Sequence, residues 1–508
     1  MGVFINLAVS HSVSQSEWEA VYREALELAQ KLGLAEVRRI KIGGVTVRCL
    51  SRTKEYTSPS RWLSEDWTGF QICGDYETLQ VAETNHVPKY LRPVCTETEA
   101  ADAMLEIYRM VKDYRYEPKV YQLLGNKTQG HSHHIPLLAM CCLIEDRLGA
   151  RAFTYGDITL GQCRKAVELA NGWLAQPLSL PDSCDGERLI RRIQSLPIPA
   201  EEQLKLFDWG YLGRKDRTLG ERIRNAFGNE VCYRFWKSRF EGTRVKTHSF
   251  LLHLKEYLNM GFPLERLFDG CPSLISLTRK EQKLFVQKLL ETGLCDKEKS
   301  TVPPAFDPEQ ESPYRVEDLI ERLFHAERAE RMIEVYLPSE ECRAILRQHM
   351  DCPEIIDECF AEHQKMAAEA ILAKTGSDEE DLEEKYDIAL LADVGRYRPE
   401  MTLDPTLIRV LLQILDRFEK TAAEKDYDRF AQKSPERRFA FLAGNTSLVL
   451  RDRDWEKIYE AMKTQDFRRY YPAACLNISH PAAACAVRAI LLNDDLYGLL
   501  LRMREAAE

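Results

Sequence analysis

Several signatures of catalysis are missing from this chain. It has no GxxxxGK[ST] loop and no GxGxxG turn after a strand, which excludes the usual glycine-rich cradles for phosphate. It has no GxSxG elbow to present a nucleophilic serine. It has no HExxH pair to hold a catalytic metal on one helix face. No two of its 15 cysteines are spaced as CxxC, which removes the common redox and zinc-ribbon patterns. No apolar run approaches the roughly 20 residues that a bilayer span needs. The run AAACAV, residues 482–487, is cut by Arg488. The opening MGVFINLAVS has no basic n-region and is too short for the apolar core of an export signal. The expectation is a cytoplasmic protein with no membrane partner. No repeat of fixed period is evident, so a regular solenoid is not supported.

What is present is ordinary globular material. The chain has 508 residues, too many for one hydrophobic core, and three or so domains is the natural expectation. It is 44% hydrophobic and 30% charged, enough apolar substance to fold throughout. The net charge of −10 argues against wholesale binding to nucleic acid or anionic lipid, though not against a local basic patch. The cysteine count is odd, and most cysteines sit in apolar helical patterns, such as Cys141, Cys142 and Cys485. That distribution predicts reduced, buried thiols rather than a disulfide framework.

Residues 3–9, VFINLAV, read as a strand. Ser14 and Glu17 then form a capping box, in which hydroxyl and carboxylate satisfy each other's backbone amides. Trp18, Val21, Ala25, Leu28 and Leu32 mark one helical face, and Gly33 ends the helix. Ile40 and Ile42 alternate with charges before Gly43-Gly44, and Val45 and Val47 alternate after it, a two-residue hairpin signature. Phe70 to Cys73 is a further strand. The order β-α-β-β-β predicts a small α+β domain over residues 1–95.

From residue 96 the pattern is helical. Thr96 and Glu99 form a second capping box, followed by a stripe of Ala100, Met104, Ile107, Val111 and Tyr114. An apolar helix over 135–148 ends at Gly149, a short strand follows at 152–155, and a second helix opens at Thr159 with Leu160, Cys163, Val167, Ala170 and Leu174 on one face. This pair reads as the junction between the α/β part and a long helical remainder. Four prolines over 177–200 mark a boundary. Thr278 and Glu281 cap a helix that Gly293 ends. Residues 298–313, with Pro303, Pro304, Pro308 and Pro313, read as a linker. Beyond it Ser377 with Glu380, Asp404-Pro405 and Ser434-Pro435 each announce a helix. The expected architecture is predominantly α and multidomain: 1–95 α+β, 96–200 helical junction, 201–297 helical, a linker at 298–313, and 314–508 helical.

Four constellations are candidates for chemistry. His131, His133 and His134 form the densest imidazole cluster, to which Asp146 or Asp157 could be added as metal ligands. Its plainer alternative is a polar helix start. His349, Cys352, Cys359 and His363 supply the donor types of a tetrahedral structural zinc, with Cys359 and His363 one turn apart on a helix. They also fit an apolar stripe, so no cofactor is expected and zinc is the alternative. Cys163 lies near a helix N-terminus, where a thiol is activated, but also on the buried stripe, which favours a structural thiol. Residues 214–246 hold ten Lys/Arg against four Asp/Glu. There Arg234, Lys237 and Arg239 interleave with aromatics that could stack on bases, or that simply form a core face. The acidic run at 377–387 reads as a solvated helix start.

No catalytic residue can be assigned from these patterns. The expected function is macromolecular binding or assembly, through another protein or self-association. An enzyme with a site assembled from distant residues, or a nucleic-acid contact through 214–246, is the alternative. The C-terminal segment, with Leu496, Tyr497, Leu499, Leu500, Leu501 and Met503, is apolar enough for either an internal core or a subunit contact.

Overall fold

The backbone amide of Ser14 donates to Glu17 Oε2 at 3.0 Å, and the Glu17 amide donates back to Ser14 Oγ at 3.3 Å. This reciprocal cap starts helix α1, Gln15–Lys31, as the spacing predicts. Gly33, at φ 73°, turns the chain out of it. Gly43 and Gly44, at φ 55° and 82°, then form the tight turn between β2, Leu34–Ile42, and β3, Val45–Arg52. Positive φ at both central residues is what a hairpin of matching twist requires.

The computed structural model describes the whole chain except residues 1–2, 59–65, 92–100, 272–273, 275–276, 296–334, 375–393, 396, 425–426, 465–466, 476–480 and 507–508. Among the described residues there are 20 α-helices and eight strands, and all the strands lie between Ile5 and Gly156. The chain is therefore predominantly helical, with its sheets near the N-terminus. No helix of the described residues is long and apolar enough to cross a membrane. The linker expected at 298–313, the capping boxes at 96–99 and 377–380 and the acidic run at 377–387 lie outside the described residues.

Two units form, each from separate stretches of chain. Unit 1 is residues 1–25, 90–125 and 137–380; unit 2 is residues 26–89, 126–136 and 381–508. The expected β-α-β-β-β order is corrected on two points. The first strand, β1 (Ile5–Ser10), does not join the hairpin. It is the centre of a three-stranded antiparallel sheet in unit 1, between β7 (Val120–Leu124) and β8 (Ala152–Gly156). The hairpin belongs to a five-stranded antiparallel sheet in unit 2 with β4 (Tyr56–Ser58), β5 (Trp67–Asp75) and β6 (Val81–Pro88). Strands β4 and β6 escaped the sequence pattern because they carry many polar residues, such as the exposed Thr57 and Glu83 and the buried Asn85.

In unit 1, helix α2 (Ala103–Lys112) lies against the three-stranded sheet and starts at Asp102, whose carboxylate accepts from Leu105 N. Met104 and Ile107 of the expected stripe are buried, but Val111, in the last turn, and Tyr114, beyond the end at Lys112, are exposed. Helices α3 (His134–Leu148) and α4 (Leu160–Asn171) follow as predicted, the second opened by Thr159 and Gln162 in a full capping box. Then come α5 (Gly186–Gln194), α6 (Ala200–Gly210), α7 (Arg217–Phe227), α8 (Asn229–Glu241), α9 (His248–Asn259) and α10 (Leu264–Gly270). Their inward residues, among them Leu189, Phe207, Phe235, Trp236 and Phe268, make one core with Ala8 and Phe153 of the sheet. That core continues to the helices Arg279–Glu291, Ser339–His349 and Pro353–Lys374.

In unit 2, Val47 and Cys49 of β3 face a helical core made by Pro405–Glu424, Pro435–Asn445, Asp452–Ala461, Pro481–Leu492 and Asp494–Glu505. Trp455 anchors it, its indole N–H donating to Arg48 O at 3.1 Å. The C-terminal helix buries Leu496 and Leu500 completely, with Tyr497, Leu499 and Leu501 partly covered by the same core. Its apolar residues thus serve an internal core, while Met503 is exposed.

Candidate functional site

The stretches singled out by sequence are mostly committed to structure. Arg239 bonds Asp208 at 2.9 Å and Glu256 at 3.4 Å, Arg234 lies 3.8 Å from Glu201, and Lys237 lies 3.8 Å from Glu241. Phe235, Trp236 and Phe240 on the same helix point into the core. Arg234, Lys237 and Arg239 thus each lie within 4 Å of an acid, and Phe235, Trp236 and Phe240 are buried in the core.

The imidazoles divide similarly. His349 stacks on Phe268 with ring centroids 4.8 Å apart. Cys352 is buried, the Cys359 thiol reaches toward Lys283 O at 3.9 Å, and His363 is half-buried. His134 Nδ1 meets Thr128 Oγ1 at 2.7 Å. His133 is fully buried, and burial pulls its imidazole down to about 3. Asp146 is bonded to Arg147 and to Ser179 N, and Asp157 accepts from Phe4 N. Among the described residues, no group of three or more His, Cys, Asp or Glu is placed to hold a metal ion.

A different group of residues does converge, wholly within unit 2. The turn from β5 to β6 is set by Asp75, whose Oδ1 accepts from Glu77 N at 2.9 Å and Thr78 N at 2.6 Å. Leu79 completes the turn in the left-handed region, at φ 59°. This conformation projects Tyr76, Glu77, Thr78 and Leu79 together. Opposite them the chain runs extended into the helix Asp452–Ala461. Leu50 N donates to Leu450 O at 2.9 Å, so the sheet grips the residue just before Arg451. Arg451 is itself the N-cap, held by Asp454 Oδ2 at 2.6 Å.

Three guanidinium groups gather on this turn. Glu77 receives Arg52 at 2.8 Å and both Arg451 and Arg453 at 3.7 Å. The ring of Tyr76 lies under the same three, at 4.7 Å, 5.9 Å and 5.3 Å from its centroid. Its hydroxyl donates to Asp452 at 2.7 Å. Burial, then that bond to a carboxylate, pushes the phenol up to about 12, so it stays protonated at neutral pH.

A fourth arginine comes from the helix Pro481–Leu492. Arg488 is 8% exposed, and its Nη2 contacts Cys485 Sγ at 3.3 Å. Among the described residues no carboxylate pairs with it. A buried cation without a counter-ion is costly, by several kcal/mol before relaxation. Arg488 lines a cavity of about 190 Å³ together with Arg451, Arg453, Thr78 and Glu77, and with Leu79, Ala489 and Leu492 as an apolar wall. That volume exceeds what one water needs. Three cations and one anion thus face a small cavity from two helices and a turn. The arrangement suits a compact anion.

The sequence held a trace of this site. Arg488 interrupts a strongly apolar run, and an arginine there is either buried at a cost or reserved for a partner. Nothing local joins it to the RDRD segment at 451–454 or to Glu77, which the fold brings from far upstream. No protein-family model, curated protein or solved structure matches the chain.

Proposed function

We propose that the chain works by binding, and that it recognises an acidic group on a partner protein in the arginine cavity of unit 2. The observation that carries this reading is Arg488, buried, without a carboxylate, and facing a cavity that two further arginines share. A bound anion would offset the desolvation of that guanidinium, so the cost built into the free state becomes affinity. A protein is favoured over nucleic acid because one cavity of this size seats one anionic group, whereas a strand presents a row of phosphates and needs an extended basic track. The basic face of α8, the best candidate for such a track, is paired with Glu201, Asp208, Glu241 and Glu256.

The test is thermal unfolding of the full chain against sulfate, phosphate, acetate and chloride at matched ionic strength. A stabilisation that saturates with an oxyanion, and is lost in Arg488→Met, supports the reading. Equal melting temperatures in all four salts would sink it. So would robust turnover abolished by one substitution in the cavity, since that would make the chain an enzyme.

A further inference from the structure

We infer that the acidic group is a phosphate monoester. This rests on the anion-binding reading above and names the chemistry of its ligand. Three observations separate a phosphate from a carboxylate here. The first is directional. Donors reach the cavity from Arg451 and Arg453 at one helix start and from Arg488 on a second helix, while the Thr78 hydroxyl on the turn is shared with Ser132 Oγ. A carboxylate has two oxygens in a plane and is satisfied by a single guanidinium fork. A phosphate monoester has three free oxygens in a cone and can use donors from several sides.

The second observation is charge. Arg52 makes the shortest contact to Glu77, at 2.8 Å, and Asp454 is bonded to Arg451 at 2.6 Å. Asp452 adds a third carboxylate beside Tyr76 and Arg453 lies 3.7 Å from Glu77, so Arg488 is the cavity arginine with no acidic partner among the described residues. A phosphate monoester carries about −1.5 to −2 at neutral pH, enough for Arg488 and for Arg453, which Glu77 holds only at 3.7 Å, whereas a carboxylate carries one charge and is matched by Arg488 alone.

The third is the wall. Leu79, Ala489 and Leu492 line the same cavity as the arginines. An inorganic ion would leave those surfaces against water. An ester places its carbon substituent there, so the apolar side favours an ester over free phosphate.

Isothermal titration of the full chain at fixed ionic strength decides the matter, with phenyl phosphate, inorganic phosphate and benzoate as probes. Phenyl phosphate is expected to bind at least tenfold more tightly than benzoate and more tightly than inorganic phosphate. Its affinity should rise through about pH 6, where the second phosphate proton leaves. Arg488→Met should weaken it at least tenfold. Arg453→Gln, at a half-exposed position, guards against misfolding and should weaken it severalfold, while Arg234→Gln on α8 should not. Benzoate binding as tightly as phenyl phosphate, or no response to Arg453→Gln, would overturn the phosphate assignment and leave an acid-binding cavity. No binding of any probe by folded protein would overturn both readings. A peptide carrying phosphotyrosine, beside its unmodified form, separates the sources. Phosphate-dependent binding supports a phosphorylated partner protein; exclusion of the peptide while phenyl phosphate binds supports the ester and overturns the macromolecular partner.

Discussion

Glu145 offers the sharpest test of the energetics in unit 1. It lies on α3, 4% exposed, with Oε2 accepting from Thr154 N at 2.8 Å. Its Oε1 has no hydrogen-bond partner among the described residues. Burial raises the carboxyl to about 7 from its ordinary 4.5, against the opposing pull of Arg192. A raised carboxyl means the folded state holds the proton more tightly than the unfolded chain. The stability that comes from the neutral acid is complete below about pH 4.5 and is lost as pH climbs through about 7. The gap of about 2.5 pH units, at about 1.36 kcal/mol each, amounts to about 3 kcal/mol. Glu145→Gln keeps the shape and an oxygen for Thr154 N but cannot ionise. Other carboxyls titrate equally in both proteins, so the difference between them isolates this one. The variant should match the parent near pH 4.5 and exceed it by about 3 kcal/mol at pH 8, read from urea unfolding of both at each pH. If Glu145→Gln were less stable than the parent at pH 8, the carboxylate would be ionised and held favourably by Arg192, and the argument from burial would fail.

Other outcomes follow from particular contacts. Asp102 bonds Arg192 through both oxygens, at 2.8 Å and 3.2 Å, and both side chains are 7% exposed, so Asp102→Ala should cost about 3 kcal/mol by leaving the buried guanidinium with a single carboxylate contact, the longer one to Asp182 at 3.4 Å, and uncapping α2; loss of less than 1 kcal/mol in urea unfolding would refute it. Gly43→Ala would place a Cβ against the Tyr459 ring at a left-handed position, and should lower the melting temperature by several degrees, whereas Gly44→Ala meets nothing and should cost less. Cys475 is the one half-buried thiol among the described cysteines, so mass spectrometry after brief alkylation of native protein should find it modified well before Cys141 or Cys163. Leu500→Ala, in the core of unit 2, should cost about 2–5 kcal/mol with no change in oligomeric mass by light scattering.

The sequence exposes what is local. The Ser14–Glu17 and Thr278–Glu281 boxes, the Gly43-Gly44 turn and the stop at Gly149 each depend on residues a few positions apart, and each is found where its chemistry requires. The periodic faces of α3 and α4 are equally direct, since burial on both sides leaves nearly every residue of α3 apolar. Pairing across distance is not written that way. Nothing in VFINLAV says that β1 will choose β7 and β8 over the nearby hairpin, because any of these strands presents a compatible edge. The cavity is hidden for the same reason. Glu77 is unremarkable in its own window, Arg488 stands out only as a break in an apolar run, and tertiary structure alone makes them neighbours. Conversely, the basic strip of α8 is conspicuous in one dimension, yet acids from α6 and α9 pair with its Arg239 in three.

The composition of unit 2 from distant stretches bears on how the chain is made. Residues 26–89 leave the ribosome before residues 381–508 exist, a gap of 291 residues. At about 5–20 residues per second this is a wait of about 15–60 s. During that interval the face carrying Val47 and Cys49 has no helices to cover it. A chain halted before residue 394 would carry that face uncovered, and with it an open invitation to chaperones and to aggregation. Synthesis of this protein should therefore be more sensitive to premature termination than its size alone would suggest.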